Sequence, residues 1–365
     1  MKLAIIGSRG FLVDYGGFET FVRKLVLGLK DNGYDITVYG LKRYHNSTQD
    51  KYYPEIKRIW ISSTKIKCLE KVIASFLSIF HVIFSQNEII LVLGVSPGLL
   101  LWIPFLMGKK ILMNVDGIEW KRSKWSKFIA FFLRLSEIFS TIFSHILIAD
   151  SIAIQEYLRR RYKTNSFYIP YGADMNNGIK HNDLDILNKY DLKQKDYFLQ
   201  VCRLEPENNV HIIIREFLNY RGVKQLVIIG DTPYSIKYRQ NLIKRANGKI
   251  KLLGGIYGDD FKTILKNAYC YIHGHEAGGT NPVLLEAMAS GSCVVVLNVP
   301  YNLEVIKDCG ITYSKADGEL SRKLEMLDKN RDFVKDAGEK ALRRVKKFYT
   351  WEKVIAAYDE VLKNV

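Results

Sequence analysis

The stretch from His273 to Gly291, HGHEAGGTNPVLLEAMASG, carries residue types that could hold an anion beside a hydroxyl-rich group. Asn281 suits a helix N-cap, where its side-chain oxygen accepts from unpaired N–H groups. Pro282 suits the first helical position, and Gly291 suits the left-handed residue that ends a helix. The spacing predicts a strand over Cys270–His273 and a helix from Pro282 to about Ser290. Gly278 and Gly279 allow close backbone approach and expose N–H groups. Such groups, with the positive end of a helix dipole, make an anion site. Glu286 lies one turn inside the helix and would repel a phosphate. It is better suited to accepting from hydroxyls, such as those of a sugar. The same residues also fit a capped helix whose loop merely turns, with Glu286 in solvent.

Other chemistries are poorly supported. A dinucleotide fingerprint needs G-x-G-x-x-G after the first strand, but Gly7-Ser8-Arg9-Gly10 is followed by six residues before Gly17. There is no P-loop and no G-x-S-x-G elbow. His273 and His275 form the one H-x-H pair, with no Cys or Asp cluster beside it, so no metal is expected.

The formal net charge is +16, with +11 in residues 1–166 and +5 in the remainder. An anionic partner for the first half is implied: a membrane surface, a phosphate-rich substrate or nucleic acid. No recognised nucleic-acid module is present, and nucleic acid would leave the glycine loops unexplained. Basic clusters lie at Lys121-Arg122-Ser123-Lys124 with Lys127, and at Arg159-Arg160-Arg161 with Lys163. After the first cluster, Trp125, Phe128, Ile129, Phe132 and Phe139 fall on a helical stripe. That stripe could rest on lipid headgroups. The favoured expectation is a core-facing helix whose basic flank, Lys121–Arg134, meets an anionic membrane surface.

The elements that must position these residues follow from the patterning. Strands are expected near Leu3–Ile6, Asp35–Tyr39, Ile56–Ile61, Ile89–Leu93, Ile111–Asn114 and Ile146–Ala149. A second series covers Tyr197–Val201, Gln225–Ile229, Lys249–Leu252, Tyr269–His273 and Cys293–Leu297. Helices are expected at Gly17–Asn32, Val210–Tyr220, Ser235–Ala246 and Asp260–Asn267. Such alternation means α/β architecture with parallel sheets covered on both faces. Two series in 365 residues mean two doubly wound, Rossmann-like domains. The expected division is 1–167, 168–345, and a C-terminal helix in 346–365 that packs back on the first domain. Glycine-bearing loops sit at the carboxyl ends of the strands, where open sheets bind ligands. Two sheets facing at those edges would form a cleft for a nucleotide-activated molecule and an acceptor. The uncharged run Ile89–Gly108 is interrupted by Pro97 and Pro104, so it reads as strand, turn and short helix rather than a membrane span. Five scattered cysteines suit free thiols in a reducing, cytoplasmic compartment.

Four spaced motifs carry a resemblance across nearly the whole chain: YGGFETF (Tyr15–Phe21), DGIEWKRSKW (Asp116–Trp125), RLEPENN (Arg203–Asn209) and GHEAGGTNPVLLEAMA (Gly274–Ala289). Their order resembles the retaining GT-B glycosyltransferases of family 4. More narrowly, it resembles bacterial rhamnosyltransferases that move L-rhamnose from dTDP-L-rhamnose to a lipid-diphosphate-linked sugar in polysaccharide assembly. Sequence separates this poorly from the same fold using UDP-glucose or UDP-N-acetylglucosamine. The resemblance implies that Gly16 and Gly17 lie against the donor diphosphate and sugar, and that Arg203 neutralises the leaving diphosphate. Asn208 stands where the broad family has a lysine, removing one positive charge. Glu286 matches the glutamate that binds the ribose. Gly278 stands where the first glutamate of the family's E-x7-E signature should be, and Glu276, two residues early, is not expected to substitute. Sugar contact then falls to the amides of Gly279, Thr280 and Asn281. Asp116 stands where the family often has a histidine and is expected to contact donor or acceptor sugar, or else to cap a turn. The resemblance further implies front-face retaining transfer without a metal or other cofactor. The enzyme would be peripheral at the inner face of the cell membrane.

Overall fold

The computed structural model describes residues 1–13, 16–45, 51–63, 67–122, 125–175, 183–232, 235–246 and 248–365. Tyr15, Ser123 and Lys124 of the motifs above lie outside them. Thirteen strands are present among the described residues: β1 Lys2–Ile6, β2 Asp35–Leu41, β3 Lys57–Ile61, β4 Ile89–Leu93, β5 Lys110–Asn114, β6 Ile146–Ala149, β7 Phe167–Tyr168, β8 Tyr197–Val201, β9 Gln225–Ile229, β10 Ile250–Gly254, β11 Cys270–His273, β12 Cys293–Leu297 and β13 Ile311–Tyr313. The first seven form one sheet in the order β3-β2-β1-β4-β5-β6-β7, and the last six a second in the order β10-β9-β8-β11-β12-β13. The pairing is parallel throughout, for example Leu3 opposite Ile89 and Cys270 opposite Cys293. Strands buried on both faces need continuous apolar runs, and β4 (IILVL) and β12 (CVVVL) are such runs, every residue buried.

The chain divides into two units, Met1–Tyr171 with Trp351–Val365, and Gly172–Thr350. In unit 1, right-handed crossovers put helix Gly17–Asp31 on one face of the sheet. They put helices Lys67–Ile83, Trp102–Leu106, Lys127–Ile142 and Ile152–Tyr162 on the other. Helix Trp351–Lys363 packs on Gly17–Asp31, with Ile355 against Gly28. Phe21 meets the rings of Tyr358 at 5.4 Å and Tyr171 at 5.5 Å, and Asn114 Nδ2 donates to the Tyr358 hydroxyl at 2.8 Å. The uncharged run 89–108 resolves into β4, a turn at Gly98–Leu100 and the short helix Trp102–Leu106. No helix among the described residues is long and apolar enough to cross a membrane.

The apolar stripe is only partly turned to the core: Trp125, Ile129 and Phe139 are half-buried, but two of its aromatics are not. Phe128 is 71% exposed and Phe132 43% exposed. The buried positions of this helix are Ser136, Glu137 and Ser140. The reason is close packing. Gly98 sits so near that a Cβ there would meet Ser136 O at 1.9 Å, and Ser136 Oγ donates to Val95 O at 2.5 Å. The serine face takes this close approach, so Phe128, Phe131 and Phe132 are left outside.

Unit 2 is built around β8 to β13, with Phe198, Ile213, Ile272 and Val295 fully buried in one apolar cluster. Its helices include Val210–Leu218, Gly258–Asn267, Pro282–Ala289, Pro300–Ile306 and Arg331–Phe348.

Candidate active site

The carboxyl ends of β8, β9 and β11 carry the loops that the motifs occupy. Arg203 follows β8 and is exposed. Its carbonyl accepts from the backbone N–H of Glu205 at 2.7 Å and from Asn208 Nδ2 at 2.6 Å. Asn208 is buried, and its amide is spent on holding that turn, so it shapes the loop that presents Arg203. Glu205 is buried with both oxygens occupied, by Thr232 Oγ1 at 3.1 Å and Ser235 Oγ at 2.6 Å. This ties the loop after β8 to the loop after β9.

Asn209 joins the β8 loop to the β11 loop. It holds φ +55°, a conformation asparagine tolerates better than most residues. Its Nδ2 donates to Gly274 O at 2.8 Å and to Glu276 Oε2 at 3.2 Å. Glu276 is also ion-paired with Lys315. Asn209, Glu205 and Lys315 went unread in the sequence. The one usable signal was the second asparagine of RLEPENN.

The helix Pro282–Ala289 begins as its sequence dictates. Asn281 Oδ1 accepts from Val283 N at 3.0 Å and Leu284 N at 3.4 Å. Gly278 holds φ +122°, where a side chain brings strain, which gives a backbone reason for glycine at this position. Gly278, Gly279, Asn281 and Glu286 are partly exposed and Thr280 is buried. Beneath them His273 is fully buried, its ring stacked on His275 at 4.4 Å. Burial, then the adjacent His275, pushes His273 well below the ordinary imidazole range, so it is neutral. Arg203, Asn208, Gly278, Gly279, Thr280, Asn281 and Glu286 therefore share one sheet edge of unit 2.

Gly16, Gly17 and Asp116 belong to unit 1. Gly16 and Gly17 are exposed at the start of the first helix. A cavity of about 90 Å³ lies at the carboxyl ends of β1, β4 and β5, lined among others by Arg9, Glu19, Glu70, Asp116 and Glu119. Gly16 and Gly17 do not line it, but the next two residues, Phe18 and Glu19, do. Each glutamate there has an arginine: Glu19 with Arg9 at 3.4 Å, Glu70 with Arg43 at 2.8 Å and Glu119 with Arg122 at 2.7 Å. Asp116 differs. It holds φ +60°, its N–H donates to Asn114 Oδ1 at 3.0 Å, and its carboxylate accepts from the Tyr171 hydroxyl at 3.0 Å. Burial raises its carboxyl above the ordinary value, against the pull of Arg122. Such a carboxyl is a candidate to exchange a proton with a sugar hydroxyl. Among the described residues no group of three or more His, Cys, Asp or Glu side chains is placed to hold a metal.

The raised carboxyl gives a stability test. The folded state keeps this proton longer than the unfolded chain, so its contribution falls as pH rises from 3.8 through the raised value. Asp116→Asn keeps an acceptor for Tyr171 and removes the charge. Across that window its melting temperature should depend less on pH than the parent's, and should exceed it at neutral pH. Parallel melting curves for the two proteins across that range would overturn the assignment.

Two parallel-sheet, Rossmann-like units in one chain are the architecture of the GT-B glycosyltransferases, and solved structures share it along the full length. Sucrose-phosphate synthase from Thermosynechococcus elongatus superposes with TM-score 0.83 at 16% identity, covering 100% of this chain and 98% of that one. HepE from Anabaena, solved in complex with UDP-glucose, superposes with TM-score 0.80 at 13% identity over 100% of both chains. Residues 184–344 match the family described as glycosyl transferases group 1, and residues 1–174 match a domain of unknown function, DUF1972. Among curated proteins, the O-antigen chain mannosyltransferase RfbU of Salmonella typhimurium is 28% identical over 141 residues, which is 37% of this chain and 40% of the relative. O-antigen chain mannosyltransferase B of Escherichia coli is 26% identical over 140 residues, 37% of each. The chain thus spans about two fifths of the length of these relatives.

Proposed function

We propose that this chain is a retaining hexosyltransferase. It moves L-rhamnose from dTDP-L-rhamnose to a lipid-diphosphate-linked saccharide in cell-surface polysaccharide assembly. The observation that carries the reading is the shared sheet edge of Arg203, the Asn281-capped helix start and Glu286. Cation and helix dipole would take the developing charge of the leaving diphosphate, and Glu286 would accept from ribose hydroxyls. Glycine at position 278 and amides in place of a glutamate favour the rhamnosyl branch. The cavity of unit 1 has its glutamates matched by arginines, which suits a neutral, hydroxyl-rich acceptor sugar better than a free phosphate. Asp116 would contact that sugar. The transfer itself is assigned no cofactor and no metal.

The second reading keeps fold and mechanism and changes the donor to a UDP-hexose or GDP-mannose. The mannosyltransferase relatives and the UDP-glucose complex of HepE favour it. A donor screen separates the two. The protein is incubated with dTDP-rhamnose, UDP-glucose, UDP-N-acetylglucosamine or GDP-mannose and a short-chain lipid-diphosphate sugar, and products are weighed. A deoxyhexose increment with the dTDP donor alone is expected. Transfer of a hexose or N-acetylhexosamine instead would replace the donor assignment, and no transfer from any donor would remove the reading.

A further inference from the structure

The outer side of the helix layer in unit 1 is apolar where a water-facing surface should be polar. On helix Lys67–Ile83 and just beyond it, Phe76, Phe80 and Phe84 recur every fourth residue, and Phe84 is 70% exposed. Phe80 stacks with Phe76 at 6.4 Å and meets Phe84 edge-on at 5.3 Å, so the three form one ladder. The next helix, Trp102–Leu106, packs against this one and exposes Trp102 and Leu106, the latter 71%. The turn before it, Gly98–Leu100, packs against Lys127–Ile142, whose outer side shows Phe128, Phe131 and Phe132. Three neighbouring elements thus turn large apolar side chains outward. Monomeric soluble proteins rarely leave so large a patch uncovered.

The charges on these helices show what would cover it. Glu70 and Glu137 are the acidic residues of the three helices, and both are buried. Glu70 is paired with Arg43, and Glu137 Oε1 accepts from the hydroxyls of Tyr157 and Tyr162, each at 2.5 Å. The exposed charges among the described side chains of these helices are Lys127 and Arg134, both cationic. An aromatic surface whose helices expose two cations and no carboxylate among their described side chains complements an anionic lipid interface. We propose that this surface is an insertion face. Phe76, Phe80 and Phe84, with Trp102 and Leu106, enter the headgroup and acyl boundary of an anionic bilayer, and the Phe128–Phe132 row lies beside them. The helices lie in the membrane plane, and attachment is by apolar insertion as well as by charge. The inference goes beyond sugar transfer and does not depend on the donor.

Vesicle flotation of the full chain tests it. Vesicles of phosphatidylcholine, with or without phosphatidylglycerol, are used at about 0.1 M and about 1 M salt, where the Debye length shrinks from ~10 Å to ~3 Å. Flotation with the anionic vesicles is expected, weaker at high salt but not abolished. The double variant Phe80→Asp, Phe84→Asp should lower the vesicle partition about tenfold at both salts. Its melting temperature should not change, because both side chains are exposed. Complete release at high salt, with parent and variant alike at low salt, would overturn insertion in favour of charge alone. Absence of flotation, with a dimer that the variant dissociates, would overturn it in favour of a second copy on this face. Turnover with a water-soluble acceptor is measured on the same variant. Normal turnover with lost flotation supports the proposal, and joint loss would assign these side chains to the fold and overturn it. Flotation without turnover from any donor would leave the insertion face standing and remove the transferase reading.

Discussion

Arg203→Ala is expected to lower kcat by about 10²–10³ while leaving the melting temperature unchanged. The loss follows from where charge develops. In the ground state the donor diphosphate already carries its charge. In the transition state further charge builds on the leaving oxygen, and a guanidinium beside it is worth on the order of 3 kcal/mol. The intact fold follows from what holds the loop. Asn208 Nδ2 and the Glu205 N–H both grip the Arg203 carbonyl, and the side chain itself is exposed. Truncation therefore removes charge without removing scaffold. Arg203→Lys should recover part of the rate, because it restores the charge but not the planar fork. Steady-state kinetics beside a thermal melt decides the matter. A near-normal kcat for the alanine variant would remove Arg203 from the reacting centre.

Glu286→Ala should fall chiefly in kcat/KM for the donor, by about 10²–10³. A hydrogen bond to a charged group is worth ~1.5–3 kcal/mol, and a carboxylate can accept from two ribose hydroxyls at once. The position lies in the middle of Pro282–Ala289, where alanine is the best helix former, so the helix survives the change. Its charge is felt by the fully buried Tyr271 beneath, whose hydroxyl is raised first by burial and in part by Glu286. Glu286→Gln keeps one acceptor and should lose less. Binding of the free nucleotide, followed by calorimetry, gives the decisive control. If the alanine variant binds nucleotide as tightly as the parent, the ribose contact is elsewhere.

Much of the framework was legible because its signals are local. Parallel strands buried on both faces favour continuous apolar runs; β4, β6 and β12 lie where such runs stand in the sequence, and β8 and β9 where each holds one glutamine. The helix from Pro282 was legible because asparagine, proline and glycine each mark one position of its ends. The short edge strands β7 and β13 were not, since two or three residues carry no periodicity. On the helix Lys127–Ile142 the expected apolar stripe is split, with Ile129 and Phe139 half-buried and Phe128 and Phe132 exposed. Periodicity shows that a helix has an apolar side, but not which side packs. Here a glycine on the neighbouring turn selects the serine side. Asn209 was unreadable for a related reason, because its partners Gly274 and Glu276 are far along the chain and meet it only when β8 and β11 pair.

The return of Trp351–Lys363 to the first unit has a consequence for biosynthesis. The ribosome makes Met1–Tyr171 first, yet Phe21 lacks the rings of Trp351 and Tyr358 until Gly172–Thr350 has been made. At about 5–20 residues per second that interval lasts roughly ten to forty seconds. Throughout it, the nascent first unit shows an apolar seam that water would penetrate. The unit translated first is the last to close. A pause or premature stop within Gly172–Thr350 therefore damages a part of the molecule that has already left the exit tunnel.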